Sequence, residues 1–290
     1  MAGNWSIAVS FPLGSSIRIS LNRKRLLTHT LFIASVITAC GAPTPAVQSR
    51  ATVAPAVVTN QVVAAPVTPD PRIGAIFAAG SSVHSCSGAV LDSLAGNLVI
   101  TAAHCLDSST ESWFAPGYSG AVGPVGFWRI DAVYLDPRWV RGQDPSADVA
   151  IARVSRVDPA TEGTLEQRVG SGFILGSAPA AGVEVAVTGY PTGDGGVPIG
   201  CRSVTIHPDR GFPAVLCHGL VDGTSGAPWV SGSTVRGVIG GLQGGGCNYS
   251  DVSYSSPFDV QTRLLYQRAQ EGGAADQATG APDDGCASIP

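Results

Sequence analysis

The apolar residues of this chain fall into short runs that turn-forming residues separate. Runs of this length, bounded by Gly, Pro and Asp, are typical of β-strands. The exception is Val260–Gln270, whose spacing predicts a terminal helix with Leu264, Leu265 and Ala269 facing inward. Helical segments that would join parallel strands are missing, so the pattern predicts an all-β fold. The predicted strand segments are Ala89–Leu91, Leu98–Ile100, Ala132–Leu135, Val149–Ile151, the alternating Val183, Val185 and Val187, and Val235 with Val238 and Ile239.

The N-terminal part of the sequence has the features of an export signal. A basic cluster at 23–25 precedes the uncharged, mostly apolar stretch Leu26–Ala39, and Cys40 follows. Residues 1–39 are therefore predicted as a signal peptide with an unusually long N-terminal extension. Residues 37–41 resemble a bacterial lipobox, which implies lipidation of Cys40 and attachment to the outer face of the cell membrane. The alternative is an ordinary signal peptide in which Cys40 has no role.

The rest of the chain divides by composition into three parts. Residues 40–72 are rich in Ala, Pro and Val with hardly any charge, which predicts an extended tether. Residues 73–270 carry the strand pattern and form the predicted domain. Residues 271–290 are rich in Gly, Ala and Asp and predict a flexible tail.

Composition narrows the classes of function. The 290 residues include 37 Gly and 21 Pro, and the formal net charge is −4. A chain of this length can bury the core of one double-barrel domain. Because its net charge is negative and its body contains no basic runs, the chain is not expected to bind nucleic acid. Seven cysteines are present. Without Cys40 they form an even set typical of disulfides in an exported protein: Cys86, Cys105, Cys201, Cys217, Cys247 and Cys286.

Three segments contain the residues of a nucleophilic hydrolase. The predicted strand 98–101 runs into His104, and Asp148 begins another apolar run. Ser225 lies between Gly223 and Gly226 in Gly-Thr-Ser-Gly-Ala-Pro. A serine nucleophile needs a base to accept its proton and an acid to orient that base. Asp144 is an alternative acid, but its turn-like context before a proline favours a solvated turn residue.

The three segments, in the order His, Asp, Ser, resemble those of the chymotrypsin-like serine peptidases, in particular secreted bacterial members. The resemblance spans roughly residues 73–270. It implies two six-stranded antiparallel β-barrels with a short C-terminal helix, and a triad of His104, Asp148 and Ser225. It also implies an oxyanion hole formed by the N–H groups of Gly223 and Ser225, and a disulfide between Cys86 and Cys105.

Further expectations concern the cysteines, the histidines and the substrate. Cys201 and Cys217 bracket a predicted hairpin and are expected to pair, whereas pairing of Cys247 with Cys286 stays open. We expect His84 and His218 to face solvent or to cap a strand end, with lining of the specificity pocket as the alternative for His218. The candidate substrate-binding residues are His218 near the nucleophile and the edge-strand residues Ile239, Gly240 and Gly241. No acid lies where trypsin-type enzymes keep one, so strict preference for Arg or Lys is not expected.

Arg72-Ile73-Gly74 is similar to the activation junction of that family, where a freed terminal amine pairs with an acid beside the nucleophile. Thr224 occupies the position of that acid here. A buried ammonium would then have no partner. We therefore expect Ile73 to begin the first strand and not to act as an activating terminus.

The resulting hypothesis is a monomeric serine endopeptidase that acts on a peptide or protein substrate without metal or cofactor. Two alternatives stay open. One is a catalytically weak or inactive member of the family that binds peptides at the cell surface. The other, which the His–Asp–Ser order disfavours, is an esterase with the same triad.

Overall fold

The computed structural model describes residues 61–158, 162–247 and 249–279. The predicted signal peptide, Cys40, the tether up to residue 60 and Cys286 lie outside the described residues. Lipidation, export and the pairing of Cys247 with Cys286 therefore stay predictions. None of the helices in the described part of the chain has the length and apolar character that a bilayer crossing requires.

The described chain is built mainly from strands, as the apolar pattern predicts. In chain order the strands are β1 (Ala65–Pro66), β2 (Ile73–Ala78), β3 (Val83–Leu91), β4 (Leu98–Thr101), β5 (Ser112–Pro116), β6 (Trp128–Leu135), β7 (Ala150–Arg156), β8 (Ile174–Leu175), β9 (Glu184–Gly189), β10 (Gly193–Asp194), β11 (Ile199–Asp209), β12 (Phe212–Leu216), β13 (Pro228–Ser231), β14 (Thr234–Val238) and β15 (Val252–Tyr254). The helices are α1 (Pro137–Gly142), α2 (Leu165–Val169), α3 (Gln243–Gly246) and α4 (Val260–Glu271), and the 3-10 turns are Ala103–Cys105 and Pro145–Ala147.

The first sheet closes into an antiparallel barrel. Its strands follow the order β10-β3-β2-β5-β6-β7-β4, and a further ladder between β3 and β4 joins the two ends of the six-stranded part. All four residues of β4 are buried. Val99 points into the cluster inside the barrel, whereas Leu98 and Ile100 belong to a cluster shared with Val235 and Val238 of the second sheet. Because side chains alternate across a strand, burial on both faces explains a continuous apolar run.

The second sheet follows the order β15-β12-β11-β9-β13-β14-β8, with β1 paired to β11. Its pairings are antiparallel except for β8 with β14. Among the described residues no ladder joins β15 to β8, so the ring of strand pairings that closes the first sheet is not completed in the second. The all-β class and the C-terminal helix are confirmed.

Asp259 caps the N-terminus of α4: its carboxylate accepts hydrogen bonds from the Gln261 and Thr262 N–H groups in a capping box. Leu265 and Ala269 are buried as predicted, but Leu264 is 51 % exposed, so its predicted inward position is wrong. The helical period allows one of two adjacent positions to face the core, and the strands beneath α4 select Leu265.

Two flanking segments are more ordered than their composition indicates. Residues 61–72, which we call the strap, were expected to continue the tether, yet β1 pairs with β11. After α4, Asp276 accepts a hydrogen bond from the Leu135 N–H at 2.8 Å, and Ala278 is 3 % exposed. The chain therefore stays on the domain at least to Thr279, where it bridges to Asp107.

Two disulfides join Cys86 to Cys105 and Cys201 to Cys217, the two pairs that were expected. The first connects β3 to the 3-10 turn after β4. The second closes the hairpin of β11 and β12, whose turn uses positive φ angles of 51° at Arg210 and 90° at Gly211. Both disulfides fix segments that lead directly into the candidate active site.

Candidate active site

The end of β4 places His104 beside a buried carboxylate. After Thr101 the chain turns through the 3-10 segment Ala103–Cys105, and the His104 side chain is 9 % exposed. Its Nδ1 lies 2.8 Å from Oδ2 of Asp148, and its backbone N–H donates to Oδ1 of the same carboxylate at 3.0 Å. Two bonds from one residue to both oxygens fix the ring relative to the acid.

Asp148 is held in place by its own turn and by the second sheet. It follows the 3-10 turn Pro145–Ala147 and is 2 % exposed. The Gly241 N–H donates to its Oδ2 at 2.7 Å. Gly240 lies so close that a Cβ atom there would be 2.8 Å from Oδ2. Asp144, the alternative acid, caps the same turn by accepting from the Ser146 N–H at 2.9 Å, which is the turn role expected of it.

The surroundings of Asp148 keep it ionised. Burial by itself would raise its pKa, but the charge of His104 and the hydrogen bonds from His104 and Gly241 outweigh burial, so the pKa lies below the ordinary 3.8. An ionised carboxylate can only accept a hydrogen bond. Nδ1 of His104 therefore keeps its proton when the ring is neutral, and Nε2 is then the basic nitrogen.

The segment that carries Ser225 is packed against the strands that lead into His104. Gly226 has a φ of 78°, and a Cβ atom there would lie 2.2 Å from the Ser87 carbonyl oxygen and 2.2 Å from Thr101 Oγ1. Only glycine allows this approach at a positive φ. The Ser225 carbonyl accepts from the Ser87 N–H at 2.8 Å. The structure thus brings the predicted nucleophile segment and the predicted base to one interface.

Ser87 is a positioning residue that sequence reasoning missed. It is fully buried in β3, and its Oγ donates to the Gly223 carbonyl at 2.9 Å while accepting from the Tyr190 N–H at 2.8 Å. Thr101 Oγ1 donates to its carbonyl at 2.7 Å. Its place between Cys86 and Gly88, in the strand that precedes β4, was the available signal, but the partners of its hydroxyl are remote in sequence.

Two backbone donors beside the nucleophile are unused. Within the described residues, the N–H groups of Gly223 and Ser225 donate to no acceptor, whereas the Thr224 N–H between them donates to the Val221 carbonyl at 3.0 Å. Gly223 has a φ of 90° and its Cα lies against Pro191 and Thr192. A pair of free N–H groups next to a serine is the arrangement that an oxyanion hole requires.

An open cavity of about 800 Å³ adjoins Ser225. Leu220 and Ile239 give it apolar surface, and the glycines at 244–246 expose flat backbone. A cavity of this size fits a large side chain. Asp222 is the one carboxylate among its described lining residues and is exposed.

His218 and Ser253 add polar groups to the cavity wall. Within the described residues, neither ring nitrogen of His218 makes a hydrogen bond, and its Nδ1 is buried. Ser253 is 5 % exposed, and its hydroxyl makes no hydrogen bond in the described part of the chain. These groups are available to an occupant of the cavity.

Gly240 and Gly241 are not among the residues that line the cavity, and any contact they make with a substrate involves their backbone groups. Their N–H groups are engaged by the Tyr254 carbonyl and by Asp148. The Gly240 carbonyl accepts no hydrogen bond within the described residues, which leaves it available to the amide of an added strand. The Gly241 carbonyl accepts from the Gly244 N–H at 3.1 Å. Of the two glycines, Gly240 is therefore the one whose carbonyl is left for a substrate within the described residues.

Ile73 and His84 are both buried in the structure. Ile73 begins a strand as expected, but this is β2, because the short β1 precedes it, and Ile73 is 4 % exposed. His84 does not face solvent: it is 1 % exposed, and its Nε2 lies 3.0 Å from the Gly195 carbonyl oxygen. A cluster of aromatic rings, including Phe77, Tyr118 and Tyr190, covers it, whereas its neighbours Val83 and Ser85, on the other face of β3, are exposed.

A group of potential metal ligands lies next to the site. Among the described residues, Cys86, His104 and Cys105 have ligand atoms within 4.8 Å of one another. The two sulfur atoms are bonded to each other, and a thiolate, not a disulfide, is the usual metal ligand. The cluster therefore reflects the disulfide beside the histidine.

Comparison with known proteins identifies the fold. No family model matches the sequence, and no curated protein sequence matches it significantly. Among solved structures, the protease Anisep from Arthrobacter nicotinovorans is 24 % identical with a TM-score of 0.61, covering 72 % of this chain and 100 % of its own. The thermostable serine protease AL20 from an extremophilic microorganism is 22 % identical with a TM-score of 0.60, covering 70 % and 98 %.

A Glu endopeptidase in complex with MPD has the same fold at 16 % identity and a TM-score of 0.58, covering 74 % of this chain and 100 % of its own. Human heparin binding protein also shares it, at 17 % identity and a TM-score of 0.55, covering 74 % and 99 %. At these identities the likeness shows the fold, and the chymotrypsin-like architecture that the motifs predict is confirmed.

Proposed function

We propose that the chain is a serine endopeptidase in which Ser225 attacks the peptide carbonyl, His104 accepts its proton and Asp148 orients and stabilises the imidazole. The observation that carries the proposal is the pair of bonds from His104 to Asp148, with the Ser225 segment packed against the same strands. Four further features support it: the two free N–H groups, the positive φ at Gly223 and Gly226, the adjoining cavity and the fold.

Each proposed step uses a group that the geometry prepares. The Ser225 hydroxyl proton passes to Nε2 of His104 as Oγ bonds to the carbonyl carbon, and the carbonyl oxygen becomes an oxyanion. The N–H groups of Gly223 and Ser225 bind that oxyanion. The imidazolium then protonates the leaving amine, which leaves an acyl-enzyme. Water, deprotonated by the same imidazole, hydrolyses the ester bond and regenerates the serine.

The proposal is tested by hydrolysis of a peptide library by the purified chain. Ser225→Ala and His104→Ala are expected to lower kcat by about 10⁶-fold, the usual loss when a nucleophile or base is removed. Ser233→Ala is the matched control, because Ser233 is an exposed serine in the same half of the molecule. Equal hydrolysis by Ser225→Ala and Ser233→Ala would reject Ser225 as the nucleophile.

The cavity supports a substrate residue that is large and uncharged, with a polar end, at the position preceding the cleaved bond. Leu220 and Ile239 suit an aromatic body, and Ser253 and His218 offer hydrogen bonds to a hydroxyl. Matched peptides with Tyr or Phe at this position test the point. Tyr is expected to be preferred about tenfold, the value of one good hydrogen bond, and Ser253→Ala is expected to abolish the preference. Equal rates with Tyr and Phe would contradict it.

A non-catalytic peptide-binding module is the second candidate. Human heparin binding protein shares the fold, so the fold by itself does not separate a peptidase from a binding protein. The bonded His104–Asp148 pair and the unused N–H groups favour the enzyme, because a binding groove does not need them. An esterase is separated by comparing matched ester and amide substrates: a peptidase must cleave both.

The proposed location is the outer face of the cell membrane, with Cys40 lipidated. This rests on the sequence around Cys40 alone. Mass spectrometry of the mature N-terminus tests it, together with a Cys40→Ser variant expected to appear in the medium. A mature terminus without lipid would leave an ordinary secreted protein.

A further inference from the structure

The strap is bonded to the wall of the cavity. The Val62 carbonyl accepts from the His218 N–H at 2.8 Å, and the Ala64 N–H donates to the His218 carbonyl at 2.8 Å. The Val67 N–H then donates to the Pro198 carbonyl at 2.9 Å. Both backbone polar groups of His218 are therefore satisfied by the strap.

His218 depends on these bonds for its position. It begins the loop that lines the cavity and leads to Ser225, and its ring makes no hydrogen bond within the described residues. On one side of it, Cys217 is fixed by its disulfide. On the other, the Gly219 N–H donates to the Ser250 carbonyl at 3.0 Å. Between these two points the strap holds both backbone polar groups of His218 in the cavity wall.

The C-terminal end of the strap is held against the first barrel. The Arg72 guanidinium forms two bonds to the Asp70 carboxylate, at 2.7 and 3.0 Å, and lies 3.9 Å from the centre of the Phe173 ring. The Arg72 carbonyl accepts from the Val90 N–H at 2.8 Å. With Ile73 buried in β2, the Arg72–Ile73 bond is part of the folded structure and not an exposed loop.

Cleavage at this junction would not create a useful terminus. Thr224 is 3 % exposed, and its Oγ1 donates to the Val221 carbonyl at 2.7 Å. It therefore offers no carboxylate to a new ammonium group, whose burial without an anion is unfavourable. Cleavage would also separate the strap covalently from the barrel on which it ends.

We propose that the strap is a positioning element of the active site, that the working enzyme retains residues 62–72, and that cleavage at Arg72–Ile73 inactivates the protein. The inference rests on the proposed peptidase function for its kinetic readout. Its structural core, that the strap fixes the segment 217–224, does not. Any release of the domain from the N-terminal region must then occur before Val62.

The first test compares two variants of the full chain. Ala64→Pro removes the N–H that bonds to His218, whereas Val63→Pro is the matched control, because the Val63 N–H makes no hydrogen bond in the described part of the chain. Relative to the control, Ala64→Pro is expected to lower kcat/KM for a peptide with a large residue before the cleaved bond by about tenfold, and labelling of Ser225 by a small fluorophosphonate by less than about threefold. Equal kcat/KM for the two variants overturns the inference.

Hydrogen exchange tests the same point without activity. Amides in the segment 217–224 are expected to exchange faster in Ala64→Pro than in Val63→Pro, with no change in the first barrel. Identical exchange overturns the inference even if the wild-type chain proves inactive. Conversely, a wild-type chain that neither cleaves peptides nor reacts with the probe rejects the peptidase function alone.

Proteolysis gives a third arm that does not depend on a variant. The purified full chain is treated with an endopeptidase that cleaves after arginine, and the new N-termini are sequenced. Cleavage at Arg72 is expected to be slow while the fold is intact and to lower peptide hydrolysis in proportion to the cut fraction. A cut chain as active as the intact one, or more active, contradicts the inference.

Discussion

At the residue scale, the site depends on a few polar atoms in fixed relation. Asp148 uses Oδ1 for the His104 backbone and Oδ2 for the His104 ring and the Gly241 N–H. Residue type and chain order were sufficient to propose His104, Asp148 and Ser225 from the sequence. The partner Gly241 was not predicted in this role, because a backbone donor leaves no mark on residue type.

Asp148→Asn is predicted to lower kcat by about 10⁴-fold. The neutral amide can also donate a hydrogen bond, so it no longer holds the His104 proton on Nδ1, and Nε2 is no longer available as the base. Steady-state kinetics with a peptide substrate measure the change. Asp144→Asn is the matched control: asparagine also caps the 3-10 turn, so its kcat should equal that of the wild type. A larger loss for Asp144→Asn than for Asp148→Asn would reverse the assignment of the acid.

At the element scale, the sequence predicted the strands and α4 but not the edges of the domain. The apolar run 98–101 and the alternating residues 183–187 predict strands, because burial of one or both faces of a strand leaves a hydrophobic pattern in the local sequence. The strap has little such pattern: its order comes from pairing with Gly200 and His218, which are distant in sequence. The same holds for the segment after α4, which bonds to Leu135.

The capping carboxylate of α1 gives a pH-dependent prediction. Asp136 is 7 % exposed and accepts bonds from the backbone and guanidinium of Arg138. Burial would raise its pKa, but the bonds from Arg138 outweigh burial and hold the pKa below 3.8. A carboxyl with a lowered folded-state pKa stabilises the fold above its ordinary pKa, and that stability disappears as the pH falls through the folded-state value.

Asp136→Asn keeps the cap but removes the charge paired with Arg138, so it is predicted to lower the free energy of unfolding by about 1 kcal/mol at pH 7. The difference from the wild type should shrink as the pH falls below 3.8. Urea unfolding at a series of pH values measures it. Glu271→Gln removes one exposed carboxylate as the charge control. A difference that does not change with pH would show that the Asp136 charge has no part in stability.

At the scale of the whole molecule, the site lies where the barrel meets the second sheet. His104 comes from the first half and Ser225 from the second, and Ser87 bonds across the boundary to Gly223 and Ser225. The fold class was predicted from the sequence, but these bonds join residues more than a hundred positions apart. Local patterns carry no information on such contacts.

Ser87→Ala is predicted to lower kcat/KM by about tenfold or more, because the Gly223 carbonyl and the Tyr190 N–H lose their partner and the oxyanion loop loosens. Thr205→Val is the matched control. Thr205 is 3 % exposed and its hydroxyl makes comparable bonds to Ala180 and Val183, far from the nucleophile loop. If both variants lose the same stability and the same activity, Ser87 has a structural role only.

The most direct test of the whole account is covalent labelling of the native chain by a fluorophosphonate, read by intact mass and peptide mapping. The account predicts a single adduct on Ser225, absent in Ser225→Ala and strongly slowed in His104→Ala, because only a serine with a positioned base reacts at a useful rate. A folded, disulfide-bonded chain that takes up no label, or that is labelled equally in Ser225→Ala, would contradict the catalytic triad.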